Sequence, residues 1–243
     1  MAGQVYVDGQ KVDKAGAPVG ESARIEVRGK TMPYVSRGGL KLEKAMACWP
    51  ICLEGAVCAD IGASTGGFTD CMLQNGAAKV FAVDVGYNQL DWRLRTHPKV
   101  VCMERTNARY LTVEQIPQPL DFFSVDVSFI SLNLILPALR PLMAPGGEGV
   151  CLVKPQFEAG KDKVGKKGVV RDPEVHLEVL SQFLIHAENA DFTVKDITFS
   201  PIKGPEGNIE YLGHLRAGAG VPYGGDLWEL VQRSHNVWKE GRE

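Results

Sequence analysis

A lysine stands at the end of an apolar segment that is typical of a buried β-strand. The segment is "GVCLVK", which ends at Lys154 and is followed directly by a proline. Buried strands rarely end by removing an ammonium group from water, unless that group is paired or takes part in chemistry. Taken alone, Lys154 is better explained as a strand-end lysine that extends its amine into solvent.

Three other charged residues favour a chemical role for Lys154. Asp126 ends the apolar segment "LDFFSVDV", Lys41 follows "SRGG" in a predicted helix, and Glu210 lies in "NIEYL". Ligands of doubly wound sheets bind outside the carboxyl ends of the strands, so these side chains could meet in one cleft. Two carboxylates would balance the two lysines there, and each lysine would favour the neutral form of the other. The cluster therefore predicts an amine that can accept a proton.

A glycine-rich turn predicts the ligand of this cleft. It lies in "CADIGASTGGFTDCMLQNGAAKVFAVDV", which has the pattern strand, turn, helix, strand, acid. Gly62 and Gly67 let the backbone approach a ligand closely, and Asp84 stands where a carboxylate can accept hydrogen bonds from a ribose diol. Asp60, just before the turn, would repel a pyrophosphate but suits a ligand with an amino group and a sulfonium. The motif therefore predicts S-adenosylmethionine, although a turn that only packs the strand against the helix is the simpler alternative.

The predicted cofactor-binding residues follow the ends of the strands. They are Asp60, Gly62, Ser64, Thr65, Gly66, Gly67, Phe68, Asp84, Asn107 and Asp126.

Strands and helices that could position these residues alternate from about residue 56. The strand-like segments are "AVCADI", "VFAVDV", "VVCM", "LDFFSVDV" and "GVCLVK", with helices predicted between them, including helices from Asn88 and from Ser131. This alternation is typical of a parallel sheet that is covered on both faces. Two last strands, "FTVKDITFS" and "NIEYLGHL", are most simply an antiparallel pair at the end of the sheet. The sequence therefore predicts an α/β, Rossmann-like fold with a mostly parallel seven-stranded sheet.

The chain divides into four predicted parts. Residues 1–30 hold short strands with a hairpin signal at Asp8 and Gly9, and residues 31–36 form a linker in which Ser36 can cap the next helix. Residues 37–216 form the α/β domain. Residues 217–243 form a tail with one helix near residues 227–237.

Composition limits the class of protein. The 243 residues are 44% hydrophobic, so the chain can bury a full core. The net charge is only −2, so the total charge by itself does not point to a nucleic-acid partner. Its six cysteines form no CxxC pair, and its five histidines lack ligand spacing, so we expect reduced thiols and no metal site. No apolar segment approaches the roughly 20 residues of a membrane helix, and no signal region is present. A soluble, cytoplasmic protein is predicted.

Five separated motifs resemble one known family. They are "VSRGGLKLEKA", "DIGASTGGFTD", "VDVSFISL", "LVKPQFE" and "GPEGNIEYL", and the resemblance covers about residues 5–215. The sequence is similar to the hemolysin A (TlyA-type) family, which is related to the FtsJ-type 2′-O-ribose methyltransferases. The resemblance implies an S-adenosylmethionine-dependent methyltransferase fold and 2′-O-methylation of cytidine in ribosomal RNA, free or in a ribosomal subunit. It also implies a catalytic Lys-Asp-Lys-Glu tetrad, which falls on Lys41, Asp126, Lys154 and Glu210. Lys154 is the candidate base.

Two groups of basic residues flank the predicted cleft and are candidates for RNA binding. A charged loop that is merely solvated is a competing explanation for the second group. The candidates are Arg24, Arg28, Lys30 and Arg37 in the first group, and Lys163, Lys166 and Lys167 in the second. In the hemolysin A family, helices precede strands like "VYVDGQKVDK" in a small RNA-binding module. Because this sequence begins at those strands, the resemblance implies only the strand part of that module.

Three other functions are compatible with parts of the sequence. A non-catalytic RNA-binding or ribosome-assembly protein could keep this fold, but the intact tetrad argues against it. A pore-forming cytolysin is suggested by the family name alone, because the sequence shows no lytic helix. Base methylation usually needs a cysteine nucleophile or an Asn/Asp-Pro-Pro-aromatic loop, and "VKPQFE" and "VDVSFI" offer neither.

Overall fold

The computed structural model describes residues 5–14, 16–28 and 32–240, and the chain forms two compact units, Met1–Pro33 and Tyr34–Glu243. The first unit holds a three-stranded antiparallel sheet in the order β2-β1-β3. Asp8 and Gly9 join β1 to β2 with φ angles of 50° and 81°, which is the two-residue hairpin that the Asp-Gly pair predicts. The strands are β1 (Val5–Val7), β2 (Gln10–Lys11) and β3 (Ile25–Val27).

The second unit is built on a seven-stranded sheet in the order β6-β5-β4-β7-β8-β10-β9. Strands β4 to β8 are mutually parallel, and β10 is antiparallel to both of its neighbours. The predicted mostly parallel sheet and its terminal antiparallel pair are therefore confirmed. The strands are β4 (Val57–Ile61), β5 (Lys79–Val83), β6 (Val100–Met103), β7 (Leu120–Val125), β8 (Met143–Val153), β9 (Phe192–Phe199) and β10 (Tyr211–Ala217).

Helices cover both faces of this sheet. They are α1 (Gly38–Cys48), α2 (Gly67–Gln74), α3 (Trp92–Arg95), α4 (Leu136–Leu139), α5 (Pro155–Glu158), α6 (Pro173–Asn189) and α7 (Leu227–Glu240). Phe122 and Phe123 are adjacent on β7, so their side chains point to opposite faces, and both are buried. Phe122 packs in the cluster that contains Leu42 of α1 and Met72 of α2, whereas Phe123 packs with Phe183 of α6. Within the described ranges, no helix is long and apolar enough to cross a bilayer.

Two helices differ from the sequence-based expectation. Asn88 has a φ of 56°, which a helix cannot use, and α3 begins only at Trp92 after Asp91 accepts a hydrogen bond from the Arg93 amide at 2.9 Å. The expected helix from Ser131 is divided into single turns around α4. Pro137 and Pro141 explain the interruptions before and after α4, because each lacks the amide hydrogen that a continuing helix would need.

A buried histidine joins α6 to the strand end that carries Glu210. His176 has no exposed surface, and its Nε2 donates to the Val170 carbonyl at 3.1 Å while its Nδ1 accepts from the Tyr211 hydroxyl at 2.8 Å. Burial lowers the pKa of His176 to about 4, although the hydrogen bond to Val170 acts in the opposite direction. The neutral ring thereby holds the start of β10, next to Glu210, against α6.

Candidate active site

Two cavities meet at the carboxyl ends of β4 and β7. One of about 580 Å³ extends toward α1, β8 and β10, and the other, of about 470 Å³, extends toward β5. The chain order of the sheet reverses between these two strands, which is where doubly wound sheets bind their ligands. The residues that line both cavities are Gly62, Ser64, Asp126, Ser128 and Phe129.

The glycines of the turn after β4 have two different roles. Gly62 has a φ of 84°, and a Cβ atom there would lie 2.5 Å from the Asp126 carbonyl oxygen. The Asp126 amide donates to the Ile61 carbonyl at 2.9 Å, so the ends of β4 and β7 are joined directly. Gly66 instead faces the side chains of Leu90 and Leu94 and lines neither cavity. Packing between the turn and α3 thus explains why this position lacks a side chain.

Asp84 lies on the smaller cavity, one residue beyond β5. Its Oδ2 accepts from the Ser64 amide and its Oδ1 from the Gly86 amide, both at 2.7 Å. Each carboxylate oxygen keeps further acceptor capacity, so the group can still bind two hydroxyls. Asn107 lines the same cavity and accepts from the Arg109 amide at 3.1 Å.

Asp60 is the last-but-one residue of β4 and is almost completely buried. Its Oδ2 accepts from the amide and hydroxyl of Thr69, at 2.9 and 2.7 Å, and its Oδ1 accepts from the Ser124 hydroxyl at 2.9 Å. Burial raises the pKa of Asp60 to about 6, although these hydrogen bonds act to lower it. The carboxylate lines the larger cavity while it ties α2 to β4 and β7. Ser64, Thr65, Gly67 and Phe68 line the same cavity.

The four charged residues of the predicted tetrad lie together in the larger cavity. Lys41 Nζ contacts Glu210 Oε2 at 2.9 Å and Asp126 Oδ2 at 3.4 Å, and Lys154 Nζ contacts Asp126 Oδ1 at 2.5 Å. The groups therefore form one chain in the order Glu210, Lys41, Asp126, Lys154. Helix α1, the ends of β7 and β8, and the residue before β10 each contribute one member.

The charges of these four side chains balance one another, and the groups are largely removed from water. Lys41 and Lys154 are 8% and 7% exposed, and Glu210 is 1% exposed. Burial alone would raise the pKa of Asp126, but the charges of Lys41 and Lys154 hold it below its usual value. Asp126 is therefore an anion that two ammonium groups share. Among the described residues, Glu210 Oε1 is buried without a hydrogen-bond partner, and Lys41 is the side chain that holds this carboxylate.

The basic residues proposed for RNA binding fall in separate places. Arg37 lines the larger cavity, and Lys167 lines both that cavity and a shallow hollow of about 300 Å³ with Lys163 and Lys166. Lys163 is engaged in an ion pair with Glu178.

Two arginines of the first group of basic residues belong to the first unit, which is the small unit of the protein. Arg24 and Arg28 pair with Glu26 at 3.0 and 2.7 Å. Lys30 lies outside the described residues. A group of histidine, cysteine or acidic side chains suited to a metal ion is absent from the part of the chain that the structure describes.

Sequence reasoning did not select several residues that line the larger cavity. Ser128 is the most informative of them, because it lies two residues after Asp126 and thus on the same face of an extended chain. That spacing is visible in "VDVSF" and could have identified it. Others are Ser36, Phe129, Gln156, Phe157, Ile202, Lys203 and Asn208.

The fold and the position of the ligand cleft are those of a Rossmann-like methyltransferase. The family model described as FtsJ-like methyltransferase matches residues 34–217, and the chain belongs to that family. The first unit lies outside the matched range.

Individual proteins support the same assignment. The chain is 49% identical to YqxC, a candidate rRNA methyltransferase of Bacillus subtilis (strain 168), over 99% of this chain and 88% of the relative. It is 44% identical to the 16S/23S rRNA (cytidine-2′-O)-methyltransferase TlyA of Mycobacterium tuberculosis, over 88% of this chain and 81% of the relative. A solved structure from Streptococcus thermophilus, named for hemolysin, superposes with a TM-score of 0.87 at 46% identity, covering 99% of this chain and 89% of that one. The resemblance to the hemolysin A (TlyA-type) family is thereby confirmed.

Proposed function

We propose that this protein transfers the methyl group of S-adenosylmethionine to the ribose 2′-oxygen of a cytidine in ribosomal RNA. The observation that carries the proposal is the buried chain of Glu210, Lys41, Asp126 and Lys154 at the junction of the two cavities. The substrate follows from TlyA of Mycobacterium tuberculosis, whose name gives 16S and 23S rRNA cytidine as the methyl acceptor.

The smaller cavity has the donors and acceptors that an adenosine requires. Asp84 is fixed by two backbone amides and can accept both ribose hydroxyls, as an acid at the end of this strand does in nucleoside-binding folds. Gly62 leaves the backbone free of a Cβ atom where the two cavities join. Asp60 and the turn from Ser64 to Phe68 would then hold the methionine part of the cofactor in the larger cavity.

Lys154 is the proposed base. A ribose hydroxyl attacks well only when its proton is removed or shared, and a positioned base contributes roughly 10²- to 10⁴-fold to such a reaction. When bound, S-adenosylmethionine would supply the methyl group and a positive charge, and this charge would favour the neutral form of a neighbouring lysine. Lys154 Nζ would take the hydroxyl proton as the ribose oxygen bonds to the methyl carbon and displaces the thioether sulfur, which would leave with the electron pair of the broken carbon–sulfur bond. Asp126 would then stabilise the new ammonium group, and Glu210 would hold Lys41 in place.

Arg37 and the loop that contains Lys166 and Lys167 are the proposed phosphate contacts at the cavity mouth. Lys167 lines both the larger cavity and the basic hollow, so it could neutralise a phosphate beside the reacting nucleotide. Lys163 is less suited to this role because Glu178 already pairs with it. The small unit, with Arg24 and Arg28, is proposed as the strand part of an RNA-binding module.

Methyl transfer to defined rRNA substrates tests the proposal. Purified protein would be incubated with S-adenosylmethionine carrying a labelled methyl group and with free 16S rRNA, free 23S rRNA and isolated ribosomal subunits. We expect label at a single cytidine, which resists alkaline cleavage on its 3′ side because its 2′-oxygen is blocked. Cofactor binding with no transfer to any substrate would favour a non-catalytic RNA-binding protein. Label on a base would refute the 2′-oxygen as acceptor.

A further inference from the structure

Ser128, which lies two residues after Asp126, also contacts the proposed base. Lys154 Nζ donates a hydrogen bond to the Ser128 hydroxyl oxygen at 3.2 Å, in addition to its 2.5 Å contact with Asp126 Oδ1. Ser128 lines both cavities. It thus stands at the point where the donor and acceptor would meet.

Strand register explains why these three side chains converge. Val125 of β7 pairs with Cys151 of β8 in the parallel ladder, so Ser128 and Lys154 lie the same three residues further along their strands. Side chains at positions two residues apart point to the same side of an extended chain, which directs Asp126 and Ser128 toward Lys154 together. The strand ends at Val125, the chain bends at Ser128, and the next residue, Phe129, has a φ of 64°, so the chain turns away at this point.

The contacts also limit the directions available to the lysine nitrogen. An ammonium nitrogen carries three hydrogens in tetrahedral arrangement. Asp126 Oδ1 lies in ionic contact with this nitrogen at 2.5 Å, and one hydrogen is directed to Ser128 Oγ, so these two oxygens cover part of the surface of the nitrogen. When the amine loses a proton, its lone pair takes the direction that they leave open.

We infer that Ser128 is a positioning residue that aims the lone pair of Lys154 at the acceptor hydroxyl. This inference rests on the proposed role of Lys154 as the base. Asp126 alone would leave the lone pair of the neutral amine more than one direction to take. The hydroxyl of Ser128 occupies one of these directions, which places the lone pair before the substrate arrives.

Substitution of Ser128 with alanine and with threonine tests this inference. We expect Ser128→Ala to lower kcat about 10-fold while KM for RNA and cofactor affinity change little, because only the orientation of the base is lost. Ser128→Thr keeps the hydroxyl on an exposed residue and should recover most of the rate. Ser181→Ala is the matched control, since the Ser181 hydroxyl donates to the Leu177 carbonyl of its own helix at 2.9 Å and does not line either cavity.

The pH profile separates positioning from a structural effect. Ser128 accepts a hydrogen bond from the ammonium group, so its removal should move the rising limb of the kcat profile to lower pH while the plateau falls. The charged groups around Lys154 are unchanged in that variant: Asp126 on β7, Lys41 on α1, Glu210 before β10, and Arg37 and Lys167 at the cavity mouth. A lower plateau with an unmoved limb, or a Thr variant as slow as Ala, would overturn the inference.

A second measurement does not depend on catalysis. Acylation of Lys154 by a limiting amine reagent, followed by peptide mass spectrometry, should be several-fold faster in Ser128→Ala than in the wild type or Ser181→Ala. Equal acylation rates would overturn the positioning role even if the wild type methylated no RNA. Faster acylation together with an inactive wild type would support the contact and reject the proposed function instead.

Discussion

Replacement of Lys154 by arginine is the sharpest test of the proposed mechanism. Lys154 Nζ lies 2.5 Å from Asp126 Oδ1 and 3.2 Å from Ser128 Oγ, in a position that is 7% exposed. A guanidinium group can keep the positive charge and both of these contacts, but it does not give up a proton near neutral pH. We therefore expect Lys154→Arg to fold normally and to lose roughly 10²- to 10⁴-fold in rate, which is the usual contribution of a general base.

Lys154→Ala provides the comparison. It removes the same base, so the rate should fall by a similar factor, but it also leaves Asp126 with Lys41 as its only lysine partner, at 3.4 Å. Losing a hydrogen bond to a charged group costs about 1.5 to 3 kcal/mol, so we expect a lower free energy of unfolding for this variant only. Cofactor affinity should be nearly unchanged in both variants, because Lys154 does not line the cavity that contains Asp84 and its amine is proposed to act on the acceptor hydroxyl.

Single-turnover methylation of the mapped cytidine, measured from pH 6 to 9, is the assay. The wild-type rate should rise with pH because the transfer needs a deprotonated base, while the residual rate of Lys154→Arg should not follow that curve. Calorimetric titration with S-adenosylmethionine and denaturant unfolding would show that binding and folding are intact. A Lys154→Arg enzyme with a near-normal rate would show that the side chain supplies charge rather than proton transfer.

Three further outcomes follow from the structure. Asp84→Ala should weaken S-adenosylmethionine binding by roughly 1.5 to 3 kcal/mol in calorimetry, since it removes the acceptors for the ribose; unchanged affinity would place the ribose elsewhere. Joint replacement of Lys166 and Lys167 by glutamine should lower RNA affinity and reduce the salt slope by about two counterions, and an unaltered slope would mean that the loop is only solvated. Denaturant titrations should show that the free energy of unfolding falls by about 3 kcal/mol between pH 7 and pH 4 through His176, because its pKa is about 4 when folded and about 6.5 when unfolded. Asp60, whose pKa is raised to about 6, changes the free energy of unfolding in the opposite sense over this range. The difference in free energy of unfolding between the wild type and His176→Gln isolates the contribution of His176. A difference that did not change with pH would contradict it.

Much of the fold could be predicted because its signals are local. Apolar segments such as the one that contains Phe122 and Phe123 are buried on both faces, as continuous apolar strands of parallel sheets are. The Asp8-Gly9 turn likewise has the positive φ angles that this residue pair predicts. The helix expected from Asn88 was wrong because the backbone there adopts a left-handed conformation. The local sequence pattern alone did not reveal that turn.

The site was less accessible to sequence reasoning, because its geometry depends on contacts between distant segments. The charged residues could be selected from strand ends and family motifs, but their order could not. Only the fold shows that Asp126 contacts both lysines. Of these two lysines, Glu210 contacts Lys41. A side chain at Gly66 would meet Leu94, and this packing depends on where α3 begins, which the sequence did not predict.

The insertion of β10 between β8 and β9 has a consequence for biosynthesis. Lys41 and Glu210 are 169 residues apart in the chain, and Glu210 reaches its partner only when β10 has paired with β8. A nascent chain that ends before this strand would expose the long edge of β8, which can pair with other chains, and would leave Lys41 without its buried carboxylate. The ribosome must therefore synthesise the chain through β10 before Glu210 can complete the group of four charged residues proposed for catalysis.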